Sequence, residues 1–174
     1  MTLRPDTAQR WQFALIDGPN MPNLGARDQA IYGPIKSIQD LHGFVRGFAD
    51  VLGVNIRTMT SNHEGEILEF IHGTAGDVDG YVINPAGLTT YGEATRHALV
   101  DTGKPYAEVH FSNLAVHLSS ISCTRPLESR FTKSAVGLVM GFRQYSYVGA
   151  LLALTLALDD ESFLGENDRQ HDGH

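Results

Sequence analysis

Apolar runs of strand length and amphipathic stretches of helix length alternate about five times along this chain, with short connections between them. That alternation leaves few folds open. Parallel strands need a crossover, normally a helix, and crossover helices cover both faces of the sheet they connect. Residues 13–16, 54–59, 81–83, 106–109 and 135–140 read as the five strands. Between them, Ile38, Leu41, Phe44, Val45, Phe48, Val51 and Leu52 recur at helical spacing and define one apolar face. Ser37 with Asp40 three residues on marks where that helix starts, and Gly53 supplies the left-handed residue that ends it. A short helix carries Ile67, Leu68, Phe70 and Ile71, another spans about 92–101, and a strongly apolar one spans 145–158. The pattern predicts an α/β doubly wound sandwich on a five-stranded parallel sheet. Residues 1–10 are expected to be a flexible N-terminus, 11–158 the single domain, and 159–174 an acidic disordered tail.

Two long connections break the rhythm, at 17–33 and at about 114–133, and both are expected to be irregular. Loops of that length inside a compact domain are usually functional or disordered. The first holds an amide (Asn20), a cation (Arg27) and a phenol (Tyr32), with Gly18, Gly25, Gly33, Pro19 and Pro22 shaping its backbone. A phenol beside a fixed cation is a stronger candidate base than a free one. The plain alternative is a surface lid whose Tyr packs its own loop. Asp17, Ser61, Asn84 and His110 each follow a strand end. In open parallel sheets ligands bind beyond the carboxyl ends of the strands, so these polar groups gather on the functional rim.

Composition narrows the partners. The 174 residues are 42% hydrophobic and 19% charged, typical of a globular domain, and the net charge of −7 disfavours nucleic acid and anionic membranes. A single cysteine, Cys123, cannot pair internally, no run is long enough for a membrane helix, and the first residues lack the apolar core of a signal peptide. A cytoplasmic location is expected. No dinucleotide fingerprint, P-loop or nucleophile elbow is present, and His63-Glu64-x-Glu66 does not have zinc-ligand spacing, so it reads as a turn or subunit contact. His42 and His72 sit in helical patterns as surface or partly buried side chains. Neither a metal nor a cofactor is expected. The remaining phenol, imidazole and amides suit proton abstraction beside a carbonyl, with amide or water donors holding the enolate.

Six ordered blocks now carry a resemblance: Gly18-Pro19-Asn20, Leu24-Gly25-x-Arg27, Ile31-Tyr32-Gly33, Ser61 to Glu66, Ile83-Asn84-Pro85 and Glu108-Val109-His110-x-Ser112-Asn113. Together they resemble the signature blocks of type II 3-dehydroquinate dehydratases, over about residues 13–158. The resemblance implies a flavodoxin-like fold, a homo-oligomer of trimers assembling to a dodecamer, and a metal-free anti elimination of water from a small carbonyl substrate, 3-dehydroquinate, through an enolate. It places Tyr32 on the catalytic base, Arg27 on the lid arginine that tunes it, and Asn20 on the amide that holds a water against the enolate oxygen. His110, backed by Glu108, falls on the group associated with protonating the leaving hydroxyl. Asn84, Thr90, His97, His117 and the backbone around Phe111 and Ser112 make up the implied substrate-binding set.

The chain also departs from that pattern. Asp17 stands where the family usually has Asn, Thr90 where it has a histidine, His97 where it has an aspartate that reaches a neighbouring subunit's site, and Ile121 where it has an arginine. Arg125 or Arg130 is the candidate replacement for that arginine. Three functions follow: dehydration of 3-dehydroquinate, the same base acting on another small cyclic or hydroxylated carbonyl compound, or a non-catalytic binding or assembly protein on the same fold.

Overall fold

The computed structural model describes residues 3–119, 128–160 and 162. Five strands, β1 (Gln12–Asp17), β2 (Asn55–Thr60), β3 (Gly80–Asn84), β4 (Tyr106–His110) and β5 (Gly137–Met140), form one parallel sheet in the order β2-β1-β3-β4-β5. That is the flavodoxin-like doubly wound order, with its switch point beside β1 and β3. The register pairs Asp17 with both Thr60 and Asn84, and His110 with Met140. The carboxyl ends of the central strands therefore finish on one rim.

Side-chain alternation along the strands sorts the core into two layers. Phe13, Leu15, Val82 and Val109 pack with Leu41, Val45, Leu151 and Leu154 from α2 (Ile38–Leu52) and α6 (Tyr145–Asp159). Ala14, Ile16, Tyr81, Ile83 and Tyr106 face the other way, onto Ile67 and Ile71 of α3 (Glu64–Thr74) and Leu99 of α4 (Glu93–Asp101). Helix α2 begins as expected: the Ser37 hydroxyl accepts from the Asp40 amide at 3.0 Å, a cap worth about 1 kcal/mol. It ends at Gly53, whose φ of 67° is left-handed. Arg4 donates to Asp159 at 2.5 Å and Trp11 donates to the same carboxylate at 2.8 Å, tying the start of the chain to the end of α6.

Neither long connection is irregular throughout. Residues 17–33 contain a 3-10 helix, Met21–Ala26, begun by Pro22, and a single α turn, α1 (Gln29–Tyr32), capped by the Asp28 carboxylate on the Ala30 amide at 2.9 Å. The second connection opens with α5 (Leu114–Ser119), where the Asn113 side chain accepts from the Ala115 amide at 3.1 Å. Asp28 and Asn113 cap the two α turns and Pro22 starts the 3-10 helix, so none of the three depends on apolar periodicity, and the periodicity did not reveal them.

Candidate active site

The rim site is assembled from backbone that approaches unusually closely. The Gly18 amide donates to the Asn84 carbonyl at 2.9 Å, and a Cβ on Gly18 would lie only 2.3 Å from the Pro85 carbonyl oxygen. Only glycine permits the turn after β1 to lie against the turn after β3. Asn20 follows with a left-handed φ of 76°, a conformation Asn tolerates better than most residues, and its backbone N–H donates to Asn62 Oδ1 at 2.9 Å.

A cavity of about 290 Å³ opens above these turns. Asn20, Arg27 and Tyr32 line it from the first connection. Asn84, Thr90, His110, Phe111 and Ser112 line it from the ends of β3 and β4. Eight residues expected from the sequence thus meet in one space. An Arg27 Nη2–H donates to the Tyr32 hydroxyl, and the guanidinium carbon lies 3.7 Å from the centroid of the same ring. The cation therefore touches both the oxygen and the face of the phenol. Tyr32 in turn packs against Phe111, with centroids 5.8 Å apart, and Phe111 packs edge-on against Tyr147 at 5.5 Å.

His110 and Glu108 form the opposite side. Both are buried, and His110 Nε2 lies 2.7 Å from Glu108 Oε1, while the Thr132 hydroxyl donates to Oε2 at 2.5 Å. Burial pushes the Glu108 carboxyl up, but hydrogen bonds from His110, Ser129 and Thr132 outweigh it and hold the carboxyl below its ordinary value. A carboxylate only accepts, so His110 Nε2 carries a proton and Nδ1 is the nitrogen left for exchange with a ligand. The pair is a backed acid or base.

The other expected residues lie elsewhere. His97 is on α4 with its side chain 60% exposed, 3.3 Å from Glu93 Oε1, and does not line this cavity. Arg130 is exposed and does not line the cavity, but its backbone amide donates to the Thr89 carbonyl at 2.8 Å and its Nε to the Thr90 carbonyl at 3.1 Å, and both of those residues do. His117 falls on α5, and its side chain lies outside the described residues, as do Ile121, Cys123 and Arg125. Among the described residues, no cluster of three or more His, Cys, Asp or Glu is grouped to hold a metal ion, and no helix is long and apolar enough to cross a membrane.

The sequence put Asp17 on the functional rim without a partner, suggested a surface or partly buried place for His42, and gave Tyr147 no role; the structure buries all three. Asp17, His42 and Tyr147 are buried beneath Asn84 and hydrogen-bonded in series. The signal was present but weak: an aspartate ending a buried strand and a tyrosine in an apolar helix each need a polar partner.

An α/β sheet whose carboxyl rim gathers a cation-paired phenol, a carboxylate-backed imidazole and several amides defines an enzyme site for a small polar molecule. The family model for dehydroquinase class II matches residues 11–155. The catabolic 3-dehydroquinase 1 of Neosartorya fischeri is 35% identical over 86% of this chain and 96% of its own length. The 3-dehydroquinate dehydratase of Halothermothrix orenii is 36% identical, over 87% of this chain and 99% of its own. The crystal structure of the type II dehydroquinase from Propionibacterium acnes superposes with a TM-score of 0.76 at 29% identity, covering 86% of this chain and 99% of that one. The chain belongs to the dehydroquinase class II family and is an enzyme of the hydro-lyase type.

Proposed function

We propose that this enzyme dehydrates 3-dehydroquinate to 3-dehydroshikimate by anti elimination through an enolate, with Tyr32 as the base. The observation that carries the reading is the contact of Arg27 with both the oxygen and the ring face of Tyr32, across a cavity from the Glu108-backed His110. Tyr32, entering the step as the phenolate held by Arg27, takes the C2 proton and becomes the phenol, and the electron pair moves onto the neighbouring carbonyl oxygen. Asn20 holds a water against that enolate oxygen, where a fixed donor is worth most because charge develops there. The enolate then re-forms its carbonyl as C1=C2 forms and the C1–O bond breaks, and His110, entering this step as the imidazolium with Glu108 on Nε2–H, gives its Nδ1 proton to the departing hydroxyl, which leaves as water. The backbone at Phe111 and Ser112 holds the substrate carboxylate, and Asn84 binds a substrate oxygen.

A second reading keeps the Arg27–Tyr32 base but changes the substrate to another small cyclic or hydroxylated carbonyl compound. It is favoured by Thr90, which lines the cavity where the family pattern has a histidine. Adding 3-dehydroquinate to the purified protein separates the two. Growth of the product's enone ultraviolet band at ordinary enzyme rates supports the first, whereas a flat trace at high enzyme concentration rejects it.

The enzyme is further proposed to work as a homo-oligomer of trimers forming a dodecamer in the cytoplasm. Exposed Val136, Leu138 and Phe142, in and beside the edge strand β5, support assembly, because such an edge is costly to leave in water.

A further inference from the structure

The second long connection returns to the site through Phe131. That side chain is wholly buried in the layer of Ile83 and Tyr106, and Gly92 makes room for it: a Cβ there would lie 2.9 Å from Phe131 Cζ. The Phe131 carbonyl accepts from the Tyr106 hydroxyl at 2.5 Å. Two hydroxyls flank this anchor. The Thr132 hydroxyl donates to Glu108 Oε2 at 2.5 Å, and Ser129 donates to the same carboxylate. Ser129 Oγ accepts from the Phe131 amide at 3.2 Å, so its own O–H is the group that turns to Glu108.

Glu108 itself is wholly buried, between Ile83 of β3 and Leu138 of β5. His110 Nε2 takes Oε1 at 2.7 Å, and the returning segment supplies the donor for Oε2. These hydroxyls matter most after His110 has given up its Nδ1 proton. Until then the imidazolium offsets the carboxylate. Afterwards Glu108 is a buried charge beside a neutral ring, and hydrogen-bond donors are what stabilise it. Stabilising the deprotonated pair makes His110 the stronger acid, so removing the donors raises the pH at which the pair loses that proton.

The other titratable groups around the pair are engaged elsewhere or lie across the cavity. Arg27 and Tyr32 line the cavity opposite His110. From α6 and the turn before it, Tyr147 donates to Asp17 and Arg143 to the Ala30 carbonyl. On α4, Arg96 and His97 face Glu93, and on α3 Glu64 accepts from Thr95. On the returning segment, Lys133 reaches Glu93 at 3.3 Å, Arg130 donates to the Thr90 carbonyl, and Glu128 is exposed.

We propose that Thr132, assisted by Ser129, is a positioning residue for the proton transfer at His110: acting through Glu108, its hydroxyl keeps the imidazolium acidic enough to protonate the leaving hydroxyl. The inference rests on the reading of His110 as that acid.

The test compares Thr132→Val, Ser129→Ala and Thr132→Ser. Thr132 is exposed, so changing it leaves the core packing intact. Thr132→Val should move the alkaline limb of kcat, where His110 loses its proton, up by about one pH unit and lower the plateau about threefold. Ser129→Ala should move the limb the same way, and Thr132→Ser should restore it. A limb that stays put or moves down in Thr132→Val would overturn the proposal, as would a Thr132→Ser limb no different from that of Thr132→Val. If Thr132→Val fails to fold, the direction of the limb in Ser129→Ala decides alone. The His110 Cε1–H resonance, identified by its loss in His110→Gln, titrates without turnover and should shift in the same direction. If the wild-type protein leaves 3-dehydroquinate untouched, the functional reading fails, and that titration still decides whether Thr132 tunes His110.

Discussion

At the scale of single residues, the site depends on which groups are held by partners that only accept or only donate. Arg27 combines a hydrogen bond to the Tyr32 oxygen with stacking on its ring, which a planar guanidinium can do and an ammonium cannot. Arg27→Lys keeps the charge, yet kcat should fall by roughly one to two orders of magnitude. A steady-state assay that found kcat unchanged would show that charge alone suffices. Glu108 has its carboxyl held down by His110, Ser129 and Thr132 against the upward push of burial. A depressed folded-state pKa contributes stability above the unfolded carboxyl value of about 4.3, and that contribution is lost as pH falls through the lower folded value. In urea titrations, the stability gap between wild type and Glu108→Gln should be largest near neutral pH and shrink below about pH 4; parallel curves across that range would contradict the account. Asn20, Arg27, Tyr32 and His110 were legible in the sequence because each sits in a short local block at a strand end or in the first connection. The Asp17–Tyr147 contact joins residues 130 positions apart, and no local pattern announces such a pair.

At the scale of elements, the lid is the informative piece. Helix α1 is a single turn with no fully buried residue, so the partial packing of Tyr32 against Phe111 and the core needs help from polar contacts. Arg143, in the turn between β5 and α6, donates from Nη2 to the Ala30 carbonyl at 2.7 Å, and its own amide donates to the Phe111 carbonyl at 3.0 Å. One residue thus fastens the lid to the loop beyond β4. Its backbone pays for this with a left-handed φ of 53°, unusual for a residue that is not glycine. Arg143→Ala should lower kcat/KM about tenfold and speed proteolytic cleavage within 26–34, with little change in thermal midpoint because the core is untouched. Equal cleavage rates would show that the lid is held by other contacts. The strands and the long helices were readable from periodicity alone. Both long connections were expected to be irregular, yet they contain α1, α5 and a 3-10 helix, all too short to show a repeat.

At the scale of the whole molecule, the parallel sheet decides where chemistry can occur, and alternation of strand and helix made that sheet legible. It brings Asp17, Asn84 and His110 to one rim although they are far apart in sequence. The same scale explains what the alternation could not show: strand order and edge exposure depend on packing between distant segments. Edge strand β5 leaves Leu138 36% exposed and Val136 43% exposed, with Phe142 beside them at 67%. Light scattering should find a particle of twelve 19.0 kDa chains, and Leu138→Lys should reduce its mass by placing a charge on the assembling edge. A wild-type monomer at micromolar concentration would contradict the assembly. The central claim is that Tyr32 removes the proton, and its most direct measurement is the rate of enone formation from 3-dehydroquinate by wild type and Tyr32→Phe, each confirmed folded by circular dichroism. The account expects steady turnover in the wild type and a loss of roughly 10²–10⁴-fold in the variant. Comparable rates in the two proteins would contradict it.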